Sequence, residues 1–415
     1  MNRLGFHYFP DTKHYRQHDL DIWLPRLKSL GVRWLVLISP VNRAIPEPFL
    51  AALIQAEIQP VLQFHLEPNK FQATKDLQLL FNTYQRWGAR YIALYDQPNA
   101  HKLWWASAWT QADLVERFLD LYLPAANISL NAGLTPIFPP LKPGGDYWDT
   151  AFLRSALQSM QRRGQQDLLK QLVIGAYACP GNHPIQWGAG GPERWPNARP
   201  YYTPPGVEDQ RGFRIFDWYS AISRAVLSTP RPIFLFGMGY TSEAEYHVNR
   251  NLTIARLLEG EFIEGYEAIP PEVIGSAFGL LVDPDGDSGS LQGWFRSNGE
   301  PRTQAEALRQ WARKELEIGK PPQSQEQNIR HYLLLPSYNG GISDYHLDII
   351  RPIIKKYQPT VGFSLEEARH AKKVTVIGGE HAFTEASLNQ LRGAGIQVRR
   401  IQEDGTDIAS ILATL

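Results

Sequence analysis

Cysteine is almost absent from this chain. Cys179 is its one example, so no disulfide can form within the chain. Long apolar runs are missing too: none approaches the ~20 residues that cross a bilayer, so no membrane span is expected. Neither sign of charge is in excess, with 42 Lys and Arg against 42 Asp and Glu. That balance excludes the basic footprint of a general nucleic-acid binder or of a membrane-surface protein. The first residues carry no secretory pattern, and Leu4–Phe9 already reads as a strand, which makes the cytoplasm the expected location. Neither G-x-G-x-x-G nor G-x-x-x-x-G-K-[ST] occurs, and the pair Gly378-Gly379 after a strand reads as a turn, so no cofactor is expected. His14 and His18 stand near Asp11 without a further patterned ligand. Asp283-Pro-Asp285-Gly-Asp287 alternates acids as a calcium loop does, but its glycine is misplaced and Trp294 stands where the closing Glu belongs. A solvated turn is the expectation there, and no metal site.

What the chain has is length and aromatic mass. Its 415 residues suffice for one large domain and a small one. Aromatics make up 12% of it, including 12 Trp and 18 Tyr. Most of these belong to a core, although flat rings are also what stacks on the apolar faces of sugars.

The apolar pattern alternates between strand-like and helical periods. Strand-like runs are expected at residues 4–10, 32–40, 58–68, 91–99, 127–134, 172–182, 231–242 and 273–284. Between them fall helical stretches at 20–30, 46–56, 76–87, 110–121, 147–163, 213–227 and 242–259, and the segment 303–318 closes the set. Thr110 reads as a helix cap, and Ser242 with Glu245 as a capping box. Eight such units predict an α/β fold, a (β/α)8 TIM barrel over 1–318; a doubly wound open sheet is the alternative. Barrel enzymes carry their sites at the C-terminal ends of the strands. That rule selects His7, Tyr8, Ser39, His65, Glu67, Asp96, Gln97, Pro98, Asn99, Asn131, Tyr177, Asn182, the stretch 237–240 with Tyr240, and Asp283. The long loop 183–212 adds Trp187, Trp195, Tyr201 and Tyr202, either as a cleft wall or as a flap stapled by its own aromatics.

Tyr95-Asp96-Gln97-Pro98-Asn99 on strand four and Phe236-Gly237-Met238-Gly239-Tyr240 on strand seven carry a resemblance. The barrel resembles the retaining glycoside hydrolases of clan A, whose fourth strand ends in Asn-Glu-Pro and whose seventh ends in a second Glu. The resemblance implies a carbohydrate or glycoconjugate as partner. It also marks what is missing, since Gln97 falls at the acid/base position and Gly237 at the nucleophile. Gly279 lies near where many relatives place a tryptophan under the sugar. Retaining hydrolysis needs two carboxyl groups ~5–5.5 Å apart. Gln has no proton to give, and Gly has no side chain. Asp96 with Glu67 is the conceivable replacement, as an inverting pair. The chain is therefore expected to be a glycosidase-like carbohydrate-binding barrel without the family's double displacement. The alternatives are an active hydrolase using Asp96 and Glu67, or a barrel that serves as an interaction scaffold.

Residues 319–330 are polar with a proline pair and read as a linker. Residues 331–415 then predict a small α/β, Rossmann-like domain with strands at 331–336, 359–363, 373–379 and 397–401. Its helices are expected at 344–357, 364–367, 384–392 and 407–415. Lys373–Gly379, Phe383–Leu391, Gly395, Arg400-Ile401 and Ile408-Ala409 resemble one unit of the cell-wall-binding repeats of bacterial surface proteins. That implies a cell-wall polymer as partner; a protein-docking or oligomerisation role is the alternative.

Overall fold

A computed structural model describes residues 3–68, 74–283, 293–318, 329–336, 350–351, 354–355, 358–393 and 395–401. The chain divides into two units, Met1–Arg313 and Lys314–Leu415.

The first unit is a closed parallel barrel whose eight strands pair in sequence order. They are β1 (Gly5–His7), β2 (Trp34–Ile38), β3 (Gln59–Phe64), β4 (Tyr91–Leu94), β5 (Thr135–Leu141), β6 (Val173–Tyr177), β7 (Ile233–Met238) and β8 (Val273–Leu280). The register runs Gly5 to Trp34, Val36 to Val61 and Tyr91 to Thr135 around the wall. Alternation along each strand splits the apolar residues into two layers. Leu35, Leu37, Leu62, Phe64 and Ile92 face the surrounding helices in the main core. Val36, Val61, Ala93, Ile137, Val173, Phe234 and Ala277 form a separate core inside the barrel. The lower end of that interior is filled by Trp34, whose ring meets Tyr91 and Phe234 edge-on at 5.2 and 5.3 Å. Gly275 makes this possible, because a Cβ there would stand 2.5 Å from the Trp34 ring. The upper end carries polar side chains instead, and the functional question lies there.

The fifth unit departs from the sequence expectation. Residues 127–134 do not form a strand. They belong to an 18-residue helix, Leu114–Asn131, and to the turn after it. The helix runs through Pro124, where helical periodicity would be expected to break. The strand is Thr135–Leu141, which a sequence reading passes over because it contains Pro136, Pro139 and Pro140. The Pro139-Pro140 pair coincides with a register shift against β6 between Phe138 and Leu141. Thr110 caps no helix start; it follows a short helix, Ala106–Trp109, and its hydroxyl donates back to the Ala106 carbonyl at 3.3 Å. The Ser242–Glu245 box is likewise absent. Ala244 is the cap of the helix Glu245–Leu258, and the Ser242 hydroxyl accepts from the Ala244 amide at 3.1 Å. Strand eight ends at Leu280, and Val282–Asp283 pairs with Phe295–Arg296 in a separate two-stranded ribbon. The acids at 285 and 287 lie outside the described residues.

In the second unit, β9 (Tyr332–Leu334), β10 (Thr360–Gly362), β11 (Lys373–Ile377) and β12 (Gln397–Ile401) form a parallel sheet in the order β10-β9-β11-β12. Tyr332, Leu334, Val374 and Val376 pack on one side with Leu388 and Leu391 of the helix Glu385–Gly393. Leu333, Leu335 and Ile377 join Ile350 on the other. The expected helix 344–357 falls largely outside the described residues, and 407–415 wholly so.

Candidate functional site

The C-terminal end of β4 is where the backbone departs furthest from regular strand. Tyr95 and Gln97 both have left-handed φ, 65° and 47°, which is uncommon for residues other than glycine. Tyr95 turns outward, buried against Phe118 with ring centroids 5.5 Å apart. Strand alternation is lost after it. Asp96 and Gln97, neighbours in sequence, therefore both reach the same group, the phenol of Tyr177 at the end of β6. The Tyr177 hydroxyl donates to Asp96 Oδ1 at 2.6 Å, and the side chains of Gln97 and Gln63 act on the phenol to oppose the rise that burial causes. A phenol has one proton to give, and here Asp96 takes it. An amide at 97 can donate toward the phenolic oxygen, which an ionised glutamate could not.

The same phenol accounts for position 237. Gly237 has φ 56°, and a Cβ built there would lie 3.0 Å from the Tyr177 ring. The tyrosine thus holds the space in which a side chain on β7 would begin.

Burial sets the electrostatics of this pit. It raises the Asp96 carboxyl above the usual carboxylate range, against the opposing pull of the Tyr177 hydrogen bond, His65 and Lys102. It pushes Tyr177 well above its ordinary value, with the Asp96 charge adding to the effect. His7, on β1, is held neutral at about 3 by burial, with His65 nearby. Its Nε2 is buried without a hydrogen-bond partner. Its ring stands 5.7 Å from Phe236, which in turn lies 6.2 Å from Tyr177. Asp96, Gln97, Tyr177 and His7 are all half-buried.

The remaining residues expected at the site lie elsewhere or serve other ends. Asn131 is the last residue of the helix Leu114–Asn131, just before β5, and so stands at the opposite end of the barrel. Its placement at a strand end followed from the misassigned strand. Tyr8 is buried outside the barrel wall among Phe9, Tyr15 and Phe49, at 4.7 to 6.1 Å. Asn99 is fully buried and binds backbone only: Nδ2 donates to the Lys142 and Tyr147 carbonyls, and Oδ1 accepts from the Lys142 amide. Both its amide protons are used in clasping the loop after β5. Tyr240 is buried and donates to the His183 carbonyl at 2.7 Å, anchoring the start of the long loop. Trp187 stacks on His183 at 4.1 Å and donates to Asp209 at 3.3 Å. His65 and Glu67 are exposed after β3.

The loop 183–212 is stapled to itself and to the barrel helices. Asp209 is its centre, accepting from Thr203, Arg211 and Trp187. Gly188 donates to Glu208, and Trp218 donates to the Gly188 carbonyl. A feature not singled out from the sequence is Trp105, 66% exposed in the segment after β4. Its neighbour Trp104 is buried and fixes that segment by donating to the Pro98 carbonyl at 2.8 Å. Tyr201 and Tyr202, after β6, are each 62% exposed. Among the described residues no cluster of His, Cys, Asp and Glu could hold a metal ion. No described helix is long and apolar enough to cross a membrane.

No protein-family model and no curated protein matches the chain. Solved structures similar to it include an endo-β-1,3-glucanase of family GH128 from Sorangium cellulosum, at 14% identity and a TM-score of 0.40, covering 74% of this chain and 97% of that one. Thermotoga maritima Cel5A, solved with mannotriose, matches at 13% identity and a TM-score of 0.42, over 74% of this chain and 97% of its own. An L-ribulose 3-epimerase matches at 10% identity and a TM-score of 0.39, covering 78% and 99%. The similarity is one of barrel architecture and is shared by enzymes of different chemistry, so nothing about activity passes from them to this chain.

Proposed function

We propose that the upper end of the barrel is a carbohydrate-binding site without the acid/base and nucleophile pair of a retaining glycosidase. The observation that carries this reading is the Tyr177 hub. Gln97 acts on it where an acid would be needed, and its ring stands against Gly237 where a nucleophile would begin. Double displacement needs two carboxyl groups facing one bond, and Asp96 is the single acid tied into the hub. The exposed rings of Trp105, Tyr201 and Tyr202, all on loops that follow barrel strands, suit stacking on sugar faces.

A second reading has one observation in its favour. The raised Asp96 carboxyl suits a general acid, and Glu67 on the next strand's loop would then be the base of an inverting hydrolase. A panel of aryl glycosides and polysaccharides, assayed for binding and turnover together, separates the two. The binding reading expects retention without hydrolysis. Turnover that disappears in Asp96→Asn would overturn it, and failure to bind any glycan would leave the barrel as an interaction scaffold.

For the rest of the chain we read 1–318 as the barrel domain, 319–330 as a linker and 331–415 as a Rossmann-like accessory module. Its likeness to a cell-wall-binding repeat suggests a wall polymer as partner. Pull-down of the full chain on purified cell-wall polymer, lost when 331–415 is deleted, is the expected result.

A further inference from the structure

The Tyr177 hub leaves Asp96 half used. Oδ1 takes the phenolic proton, while Oδ2 accepts no hydrogen bond from the described residues. Asp96 also forms no ion pair with any described Lys, Arg or His side chain. The groups that face it are few. Tyr177 on β6 keeps its proton, and Gln97 and Gln63 carry no charge. His65, exposed after β3, and Lys102, exposed in the turn His101–Leu103, act on it from a distance.

No cation among the described residues is bonded to this carboxylate. A sugar hydroxyl gives it a hydrogen bond but leaves its charge uncompensated. An ammonium group supplies the hydrogen bond and the charge together, at a half-buried carboxylate where screening is weak. We propose that this pit selects amino sugars with a free ammonium, such as de-N-acetylated hexosamine oligomers, with the ammonium on Asp96 Oδ2. The proposal rests on the carbohydrate-binding reading and names the ligand's chemical class.

The test uses the full chain and three oligosaccharide series of matched length: glucosamine, N-acetylglucosamine and glucose oligomers. Calorimetry near neutral pH should show the glucosamine series binding at least about tenfold tighter. The preference should fall away on acidification, as Asp96 takes a proton. Asp96→Asn, checked for a melting transition no lower than that of wild type, should bring the three series to comparable affinity. Lys102→Gln removes the one nearby lysine charge and should increase the preference several-fold. Equal affinities in the wild-type protein, or a preference that survives Asp96→Asn, would overturn the proposal while the carbohydrate-binding reading stands. Binding of none of the three would overturn both.

Discussion

Two aspartates on neighbouring parts of the barrel face different tasks. Asp209, in the loop after β6, is 1% exposed, yet it is surrounded by donors: the Arg211 guanidinium, the Thr203 hydroxyl, the Trp187 indole and the Arg211 amide. Burial alone would raise its carboxyl, but those donors hold it below the ordinary value. Asp96, in the pit, receives one phenolic proton and is raised. The first carboxylate is consumed by structure. The second keeps one oxygen without a protein donor among the described residues, and burial works against its charge. Local hydrogen-bond supply, more than depth, separates a staple from a site.

The largest effect should come from removing the staple. Asp209→Ala leaves Arg211, Thr203 and Trp187 without their acceptor and should cost about 2–3 kcal/mol in denaturant unfolding. Asp96→Ala should cost clearly less. If the order is reversed, Asp96 is a structural residue and the contrast between the two aspartates fails.

Gly237→Glu comes next and tests whether the missing nucleophile can simply be returned. The residue would have to hold φ 56° with its Cβ 3.0 Å from the Tyr177 ring. The strain should cost about 1–3 kcal/mol, and no hydrolysis of aryl glycosides should appear. Recovery of turnover would mean that the ring yields and that Gly237 is the sole lesion.

Much of this was legible in the residues themselves. The strand and helix periods were enough for the barrel, and the departures at Gln97 and Gly237 could be read directly. The hub could not, because it depends on two left-handed residues that let Asp96 and Gln97 point the same way, against the alternation that a strand implies. Strand five was misplaced because Pro124 sits inside a helix and Pro139-Pro140 inside a strand, where local propensity argues the reverse and tertiary packing decides. Asn99 reads as a site residue by position, yet its amide is used up by the backbone around Lys142 and Tyr147.

The two aspartates should also respond oppositely to pH. Asp96 has a folded-state value raised above its ordinary 3.8. Its contribution to stability is therefore full below that value and is lost as pH rises through the folded one. Asp209 is lowered, so its contribution is present above the ordinary value and is lost as pH falls. Asp96→Asn mimics the protonated acid and still accepts from Tyr177. Its melting temperature should match wild type below about pH 4 and exceed it increasingly toward about pH 8. Asp209→Asn should show the reverse trend, falling behind wild type as pH rises. Parallel curves for the two variants would remove the electrostatic distinction between loop and pit.

The smallest effect on folding, and the sharpest on ligand, is expected at the rim. Trp105 is 66% exposed, and its segment is held by the buried Trp104 instead. Trp105→Ala should leave stability within about 0.5 kcal/mol of wild type. If its ring stacks on a sugar beyond the pit, the variant should lose about 1 kcal/mol of affinity for long oligosaccharides and little for the shortest that still bind. A uniform loss across lengths would place the ring over the pit itself, and no loss at any length would confine recognition to the residues around Tyr177. Because Trp105 lies outside the hub, this length dependence reads the reach of the site without disturbing Asp96.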